Sequence, residues 1–229
     1  MKRTSLLSSR FCDRDYTLSD YHQSCYSFDI DKIAFVHIPK TAGSSIHQFF
    51  SSRPLLQLKL VNVTVGGCHR PVSRKCPPGQ FRYFTVLRSP VDRVWSYYQM
   101  GLHVLAPHHP YSAYAKQGLR FFLHNCWEAR DLATRYYSGL LLDEPDDKTY
   151  NIAMYNLNCF EAVLDFRQLD IDLLRFTAQL GFQVKFDQIP HLNIFKYPQI
   201  DDSDRALILR YNLWDNLMYE KWIAEFTAA

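Results

Sequence analysis

Apolar positions along the chain fall into short continuous runs and helical stripes that alternate. Lys32-Ile33-Ala34-Phe35-Val36-His37-Ile38 is such a run, closed by Pro39; it has the pattern of a strand buried on both faces of a parallel sheet. After Gly43-Ser44-Ser45, the side chains Ile46, Phe49 and Phe50 recur at helical spacing. The order repeats at Phe81–Leu87, a second predicted strand, followed by Ser89-Pro90, which reads as an N-cap with proline in the first helical position. Val91, Val94, Trp95 and Tyr98 then mark one apolar helix face. Residues 101–118, rich in Pro, His and Tyr, read as a loop or lid. Helical patterning resumes over Leu119–Leu141 and breaks at Asp143-Glu144-Pro145-Asp146-Asp147. A strand follows over Cys159–Leu164, a helix over Ile171–Leu180, and a long helix from about Ser203 to Phe226. Strands alternating with helices predict an α/β fold of three layers, a central mainly parallel sheet flanked by helices. Residues 1–31 are polar and mixed and read as an irregular leader ahead of a single domain over 32–229.

Composition narrows the function classes. With 229 residues, 47% of them apolar, the chain can bury a full core without staples. A net charge of +3 lacks the broad basic field of a nucleic-acid binder, yet it suits an anionic ligand held by a few local cations. Six cysteines (Cys12, Cys25, Cys68, Cys76, Cys126 and Cys159) form no C-x-x-C pair, so no zinc site or compact disulfide framework is indicated. Cys68 and Cys76 either bridge a loop in an oxidising compartment or, like the others, are free thiols. No apolar run approaches the roughly 20 residues that span a bilayer, and the basic start Met1-Lys2-Arg3 leads into no apolar signal segment.

The densest chemistry lies in His37-Ile38-Pro39-Lys40-Thr41-Ala42-Gly43-Ser44-Ser45. A strand that turns through small residues into a helix gathers free backbone N–H groups at the positive end of the helix dipole, a P-loop-like anion site. Gly43 allows close backbone approach. Thr41, Ser44 and Ser45 carry hydroxyl donors, and Lys40 carries a mobile charge. A Walker A loop is excluded, because Lys40 precedes the glycine and no upstream glycine exists. The plainer alternative is an ordinary βα turn with a surface lysine.

At the next strand-to-helix junction, Arg88 ends the strand and Ser96 follows two helical turns later, in Leu87-Arg88-Ser89-Pro90-Val91-Asp92-Arg93-Val94-Trp95-Ser96. Together with the first loop, this resembles the sulfotransferases that use 3′-phosphoadenosine-5′-phosphosulfate (PAPS), in the carbohydrate branch of the heparan sulfate 2-O- and 6-O-sulfotransferases. Asp131-Leu132-Ala133-Thr134-Arg135, continuing to Gly139, and the stretch from Asn212 through Asp215 to Tyr219 are similar to further segments of that branch. The resemblance implies that Lys40, Thr41, Ala42, Gly43, Ser44 and Ser45 hold the 5′-phosphosulfate, with Lys40 also stabilising the departing oxygen. It implies that Arg88 and Ser96 hold the 3′-phosphate, that the product nucleotide is PAP (3′-phosphoadenosine 5′-phosphate), and that no metal is needed. Arg135 either reaches an anion or is a structural helix arginine.

Transfer to an acceptor hydroxyl needs a base, and a histidine suits that role. His69, after Gly66-Gly67 and between the two phosphate motifs, is the expected base, and His37 is the runner-up. The branch places its base histidine just after a glycine in this interval. His103, His108 and His109 read as loop residues. The expected acceptor is a sugar, glycolipid or secondary-metabolite hydroxyl, since no lysine- and arginine-rich run marks a groove for a long polyanion. Aromatics around 111–122 either wall an acceptor pocket or pack in the core. The expected location is cytoplasmic, the alternative being a luminal Golgi domain separated from its anchor. Two other functions fit fewer of these features: a P-loop kinase, and a nucleotide-binding protein without chemistry.

Overall fold

The computed structural model describes residues 33–50, 71–72, 82–141, 144–181 and 197–227, and within them three strands and nine α-helices alternate. β1 (Ile33–Val36), α1 (Gly43–Phe50), β2 (Arg82–Leu87) and α2 (Pro90–His103) form the two strand–turn–helix units that the apolar pattern predicts. Helices α3 (Pro110–Lys116), α4 (Leu119–Asn125), α5 (Leu132–Ser138) and α6 (Asp147–Asn158) lead to β3 (Ala162–Asp165). Helices α7 (Leu169–Gln179), α8 (Asp202–Tyr211) and α9 (Leu213–Thr227) complete the order. All strand pairs are parallel, in the order β1-β2-β3, with Phe35 opposite Phe84 and Thr85 opposite Val163.

Strand side chains alternate between two faces, and each face has its own helical layer. Phe35, Phe84, Val86 and Leu164 pack against Ile46, Phe49 and Phe50 of α1 and Leu173 and Phe176 of α7. On the other face, Ala34, Val36, Tyr83 and Leu87 meet α5, α6 and Met218 of α9. The α/β expectation therefore holds, with β2 buried in the middle of three layers. A further cluster joins α2, α3, α4 and α8 around Val94, Phe122, Leu123 and Ile208.

Three expectations are corrected, and one helix is added. The segment 101–118 is not an open lid: α2 runs on to His103, and α3 starts at Pro110 with His109 Nδ1 accepting the Tyr111 N–H at 3.1 Å. Gly101 lets the two helices touch, since a Cβ there would sit 3.0 Å from the Ala115 Cβ and from the Tyr111 carbonyl oxygen. The helical stretch after Leu119 is cut by a tight turn at Trp127–Ala129. Helix α6 has no counterpart in the apolar pattern. It begins where the Asp146 carboxylate accepts from the Thr149 amide at 2.8 Å and from the Thr149 hydroxyl at 2.6 Å. The long final helix is two helices, divided at Asn212.

Cys126 and Cys159 are free thiols. The leader 1–31, Cys12, Cys25, Cys68, Cys76 and His69 lie outside the described residues. No helix among the described residues is long and apolar enough to cross a membrane.

Candidate anion site

The three parallel strands end at one edge of the sheet, where ligands of open α/β folds bind. The loop after β1 carries Lys40 and Ala42 with positive φ, 71° and 62°. For side chains other than glycine, such backbone costs about 1–3 kcal/mol per residue and recurs at ligand clamps. The turn is closed by Thr41, whose hydroxyl donates to the Ile38 carbonyl at 2.8 Å and whose amide reaches the same oxygen at 3.3 Å. The Thr41 proton is thus committed to the loop itself. Helix α1 follows at once, its first intrahelical bond running from Ile46 N–H to the Ala42 carbonyl, so the opening N–H groups of Gly43, Ser44 and Ser45 lie at the positive end of the dipole. Ser44 is exposed and Ser45 buried.

Gly43 has a reason beyond ligand approach. A Cβ at this position would lie 1.7 Å from His37 Nε2. The imidazole occupies that space and stacks on Phe35, with ring centres 5.2 Å apart. The strand's last histidine is therefore folded against the phosphate-type loop.

Arg88 meets this loop from the end of β2. Its Nη1 donates to the Lys40 carbonyl at 2.8 Å, tying it to the residue of the loop with φ 71°. The guanidinium carbon lies 4.1 Å from the centre of the Phe166 ring, just past β3. Arg88 Nε is buried with no hydrogen-bond partner. The Lys40 ammonium sits 3.8 Å from Met100 Sδ on α2. Ser96 is buried one turn earlier on the same helix face.

Among the described residues, neither Lys40 nor Arg88 has a carboxylate in ion-pair contact. Burial, and then the charge of Arg88, lowers the Lys40 pKa from its ordinary value. Burial also lowers that of Arg88, against the opposing field of Asp92. Among the described residues, two half-buried cations are thus held side by side with no carboxylate in ion-pair contact, an arrangement suited to an anion.

The structure brings Lys40, Gly43, Ser45, Arg88 and the Ser96 face of α2 to this edge. Arg135 belongs elsewhere: it is 2% exposed, donates to the Trp127 carbonyl at 3.4 Å and lies over the Trp127 ring. His103 and His108 are exposed, and His109 caps α3. Tyr111 and Phe122 pack with Tyr97 in the helical cluster, where the Tyr97 hydroxyl donates to the Glu128 carboxylate; these aromatics are mainly core.

Sequence reasoning missed Phe166 and Met100, each a single apolar residue with no motif around it. It also missed Arg93, which is 1% exposed and donates to the Glu128 carbonyl at 3.0 Å and to Asn212 Oδ1 at 3.4 Å. Arg93 and Asp215 line a small crevice with Thr41, Arg88 and Tyr137, directly behind the loop.

The fold and this edge define an α/β protein whose loop between β1 and α1 carries one cation, Lys40, and meets a second, Arg88, from the neighbouring strand. No family model matches the chain, and no curated protein shows significant similarity to it.

Proposed function

We propose that the chain is a PAPS-dependent sulfotransferase acting on an acceptor hydroxyl of a sugar, glycolipid or secondary metabolite. One observation carries the reading: Lys40 and Arg88, from the ends of adjacent strands, meet without a carboxylate in ion-pair contact among the described residues. A nucleotide with anionic groups at both ends fits such a pair. The unpartnered Arg88 Nε and the uncompensated Lys40 ammonium are the donors it would satisfy.

PAPS supplies an activated sulfuryl group and leaves as PAP. On this reading the N–H groups of Gly43, Ser44 and Ser45 hold the 5′ end, and Arg88 with Ser96 holds the 3′-phosphate. The Thr41 bonds to the Ile38 carbonyl and the Arg88 bond to the Lys40 carbonyl support the loop's shape without a ligand. Lys40 is placed at the leaving oxygen, where charge develops only as the sulfur–oxygen bond breaks. Leaving Met100 costs its ammonium little, because a thioether is a weak acceptor. The acceptor hydroxyl loses its proton to a histidine as its oxygen bonds to sulfur. His69 is the proposed base, and His37 is the described histidine packed against the loop.

Labelled PAPS incubated with a panel of sugars, glycolipids and small alcohols tests the activity by mass spectrometry. Sulfated product formed by the wild type and abolished in Lys40→Ala is the expected result. A panel in which all label stays in PAPS argues against catalysis.

A further inference from the structure

The anion edge has a third contributor that no motif marks. Arg88 is bounded on two sides: its Nη1 donates to the Lys40 carbonyl, and its guanidinium carbon lies over the Phe166 ring, 4.1 Å from the ring centre. A guanidinium donates only in its own plane, and its face is weakly hydrated. The aromatic ring attracts the cation and holds it at the end of β3, while an anion is met through the guanidinium N–H donors. Arg88 Nε, buried and unpartnered, is one of those donors.

Phe166 is well placed to act as a fixed surface. It opens the tight turn Phe166–Gln168 directly after β3, and its neighbour Asp165 anchors that turn. The Asp165 amide donates to Asp172 Oδ2 at 2.7 Å, and its carboxylate accepts the Arg167 amide at 2.9 Å and the Arg167 Nη2 at 2.6 Å. The Phe166 ring packs against the core on the α1 and α7 side of the sheet. A line of contacts therefore runs from β3 through Phe166 and Arg88 to the Lys40 carbonyl, joining all three strand ends.

We propose that Phe166 is a positioning residue that determines specificity: its ring orients the Arg88 guanidinium so that the site selects nucleotides bearing a 3′-phosphate. This rests on the sulfotransferase reading, in which Arg88 meets that phosphate. Removing the ring frees the guanidinium to tilt, and the geometric preference for a phosphate at that position falls.

Calorimetric titration with PAP and with adenosine 5′-phosphosulfate, which lacks the 3′-phosphate, separates positioning from mere packing. Phe166→Leu and Phe166→Met keep apolar volume against the core but have no aromatic face; Phe166→Trp keeps the face. The expected result is a loss of about tenfold in PAP affinity for the leucine and methionine variants, with affinity retained by tryptophan. Affinity for adenosine 5′-phosphosulfate should change by less than about twofold in all three. PAP binding by Phe166→Leu or Phe166→Met as tight as the wild type's overturns the inference alone, as does an equal loss for both nucleotides. A wild-type protein that binds no PAP overturns the sulfotransferase reading and this inference with it.

Discussion

Gly43 and His37 show how one missing side chain shapes the edge of the sheet. The imidazole fills the place of a Cβ, so Gly43→Ala must push the ring off Phe35 or shift the loop. Gly43→Ala is expected to destabilise the chain by about 1–3 kcal/mol, the usual range for overpacking. His37→Ala in the same chain should recover part of that loss, a coupling that a double-mutant cycle measures by urea unfolding. Additive effects would mean that the two residues do not collide.

Lys40 gives a second prediction at the same scale, with two opposite pH trends. Its folded pKa is lowered from 10.5 by burial and by Arg88, so the folded chain releases the proton before the unfolded chain does. Stability of the free protein should therefore rise with pH between the lowered value and 10.5. PAP affinity should fall over the same interval, because the neutral amine no longer attracts phosphate. Titrations at stepped pH check this against Lys40→Met, in which both trends should vanish. Lys40, Gly43 and Arg88 were legible in the sequence because each follows an apolar run that ends abruptly. Phe166 was not, since a lone phenylalanine after a strand looks like any core residue.

At the scale of elements, the packing of α5 against α9 depends on two polar side chains, Asn212 in the break between α8 and α9 and Asp215 in the first turn of α9. Asn212 is fully buried: its amide donates to the Ala129 and Ile208 carbonyls at 2.9 and 3.1 Å, and its oxygen accepts the Asp131 amide at 3.0 Å. Asp215 accepts from the Ala133 and Thr134 amides at 3.0 and 2.8 Å and so caps α5 from another helix. Helix α8 ends at Tyr211, just before Asn212, and α9 begins just after it. Apolar periodicity runs straight through that position, and apart from Ile208 these partners of Asn212 and Asp215 lie 81–83 residues away along the chain, which is why the break was invisible. Asn212→Ala should cost about 3 kcal/mol, because buried donors and acceptors lose their partners. The urea midpoint should drop with the slope unchanged; an unmoved midpoint would contradict the role given to Asn212.

The same junction carries a pH dependence. Burial and the Asp215 charge raise the Asp131 carboxyl above its ordinary 3.8. Above 3.8 the folded state therefore holds a proton that the unfolded state has released, and stability falls as pH rises through this interval. Asp131→Asn keeps the oxygen that accepts the Asp215 amide and should flatten that slope in melts taken across the acidic range.

For the whole molecule, the sheet brings distant stretches of chain to a single edge. The loop 37–45, Arg88 and Phe166 are separated by long intervals of sequence, yet each follows a parallel strand and so arrives at the same side. Strand–turn–helix order was readable from apolar runs, and it located two of the three contributors. Contacts across the sheet, such as Arg88 on Phe166, depend on strand order, which the pattern leaves open. The site's function turns on whether Lys40 and Arg88 serve a nucleotide phosphorylated at both ends. The most direct measurement is calorimetry of the wild type and Arg88→Ala with PAP and, separately, with ATP–Mg. PAP should bind the wild type in preference to ATP–Mg, and Arg88→Ala should lose about 2 kcal/mol of that affinity, the value of a charge-assisted phosphate contact. Preference for ATP–Mg, or a PAP affinity indifferent to Arg88, would contradict it.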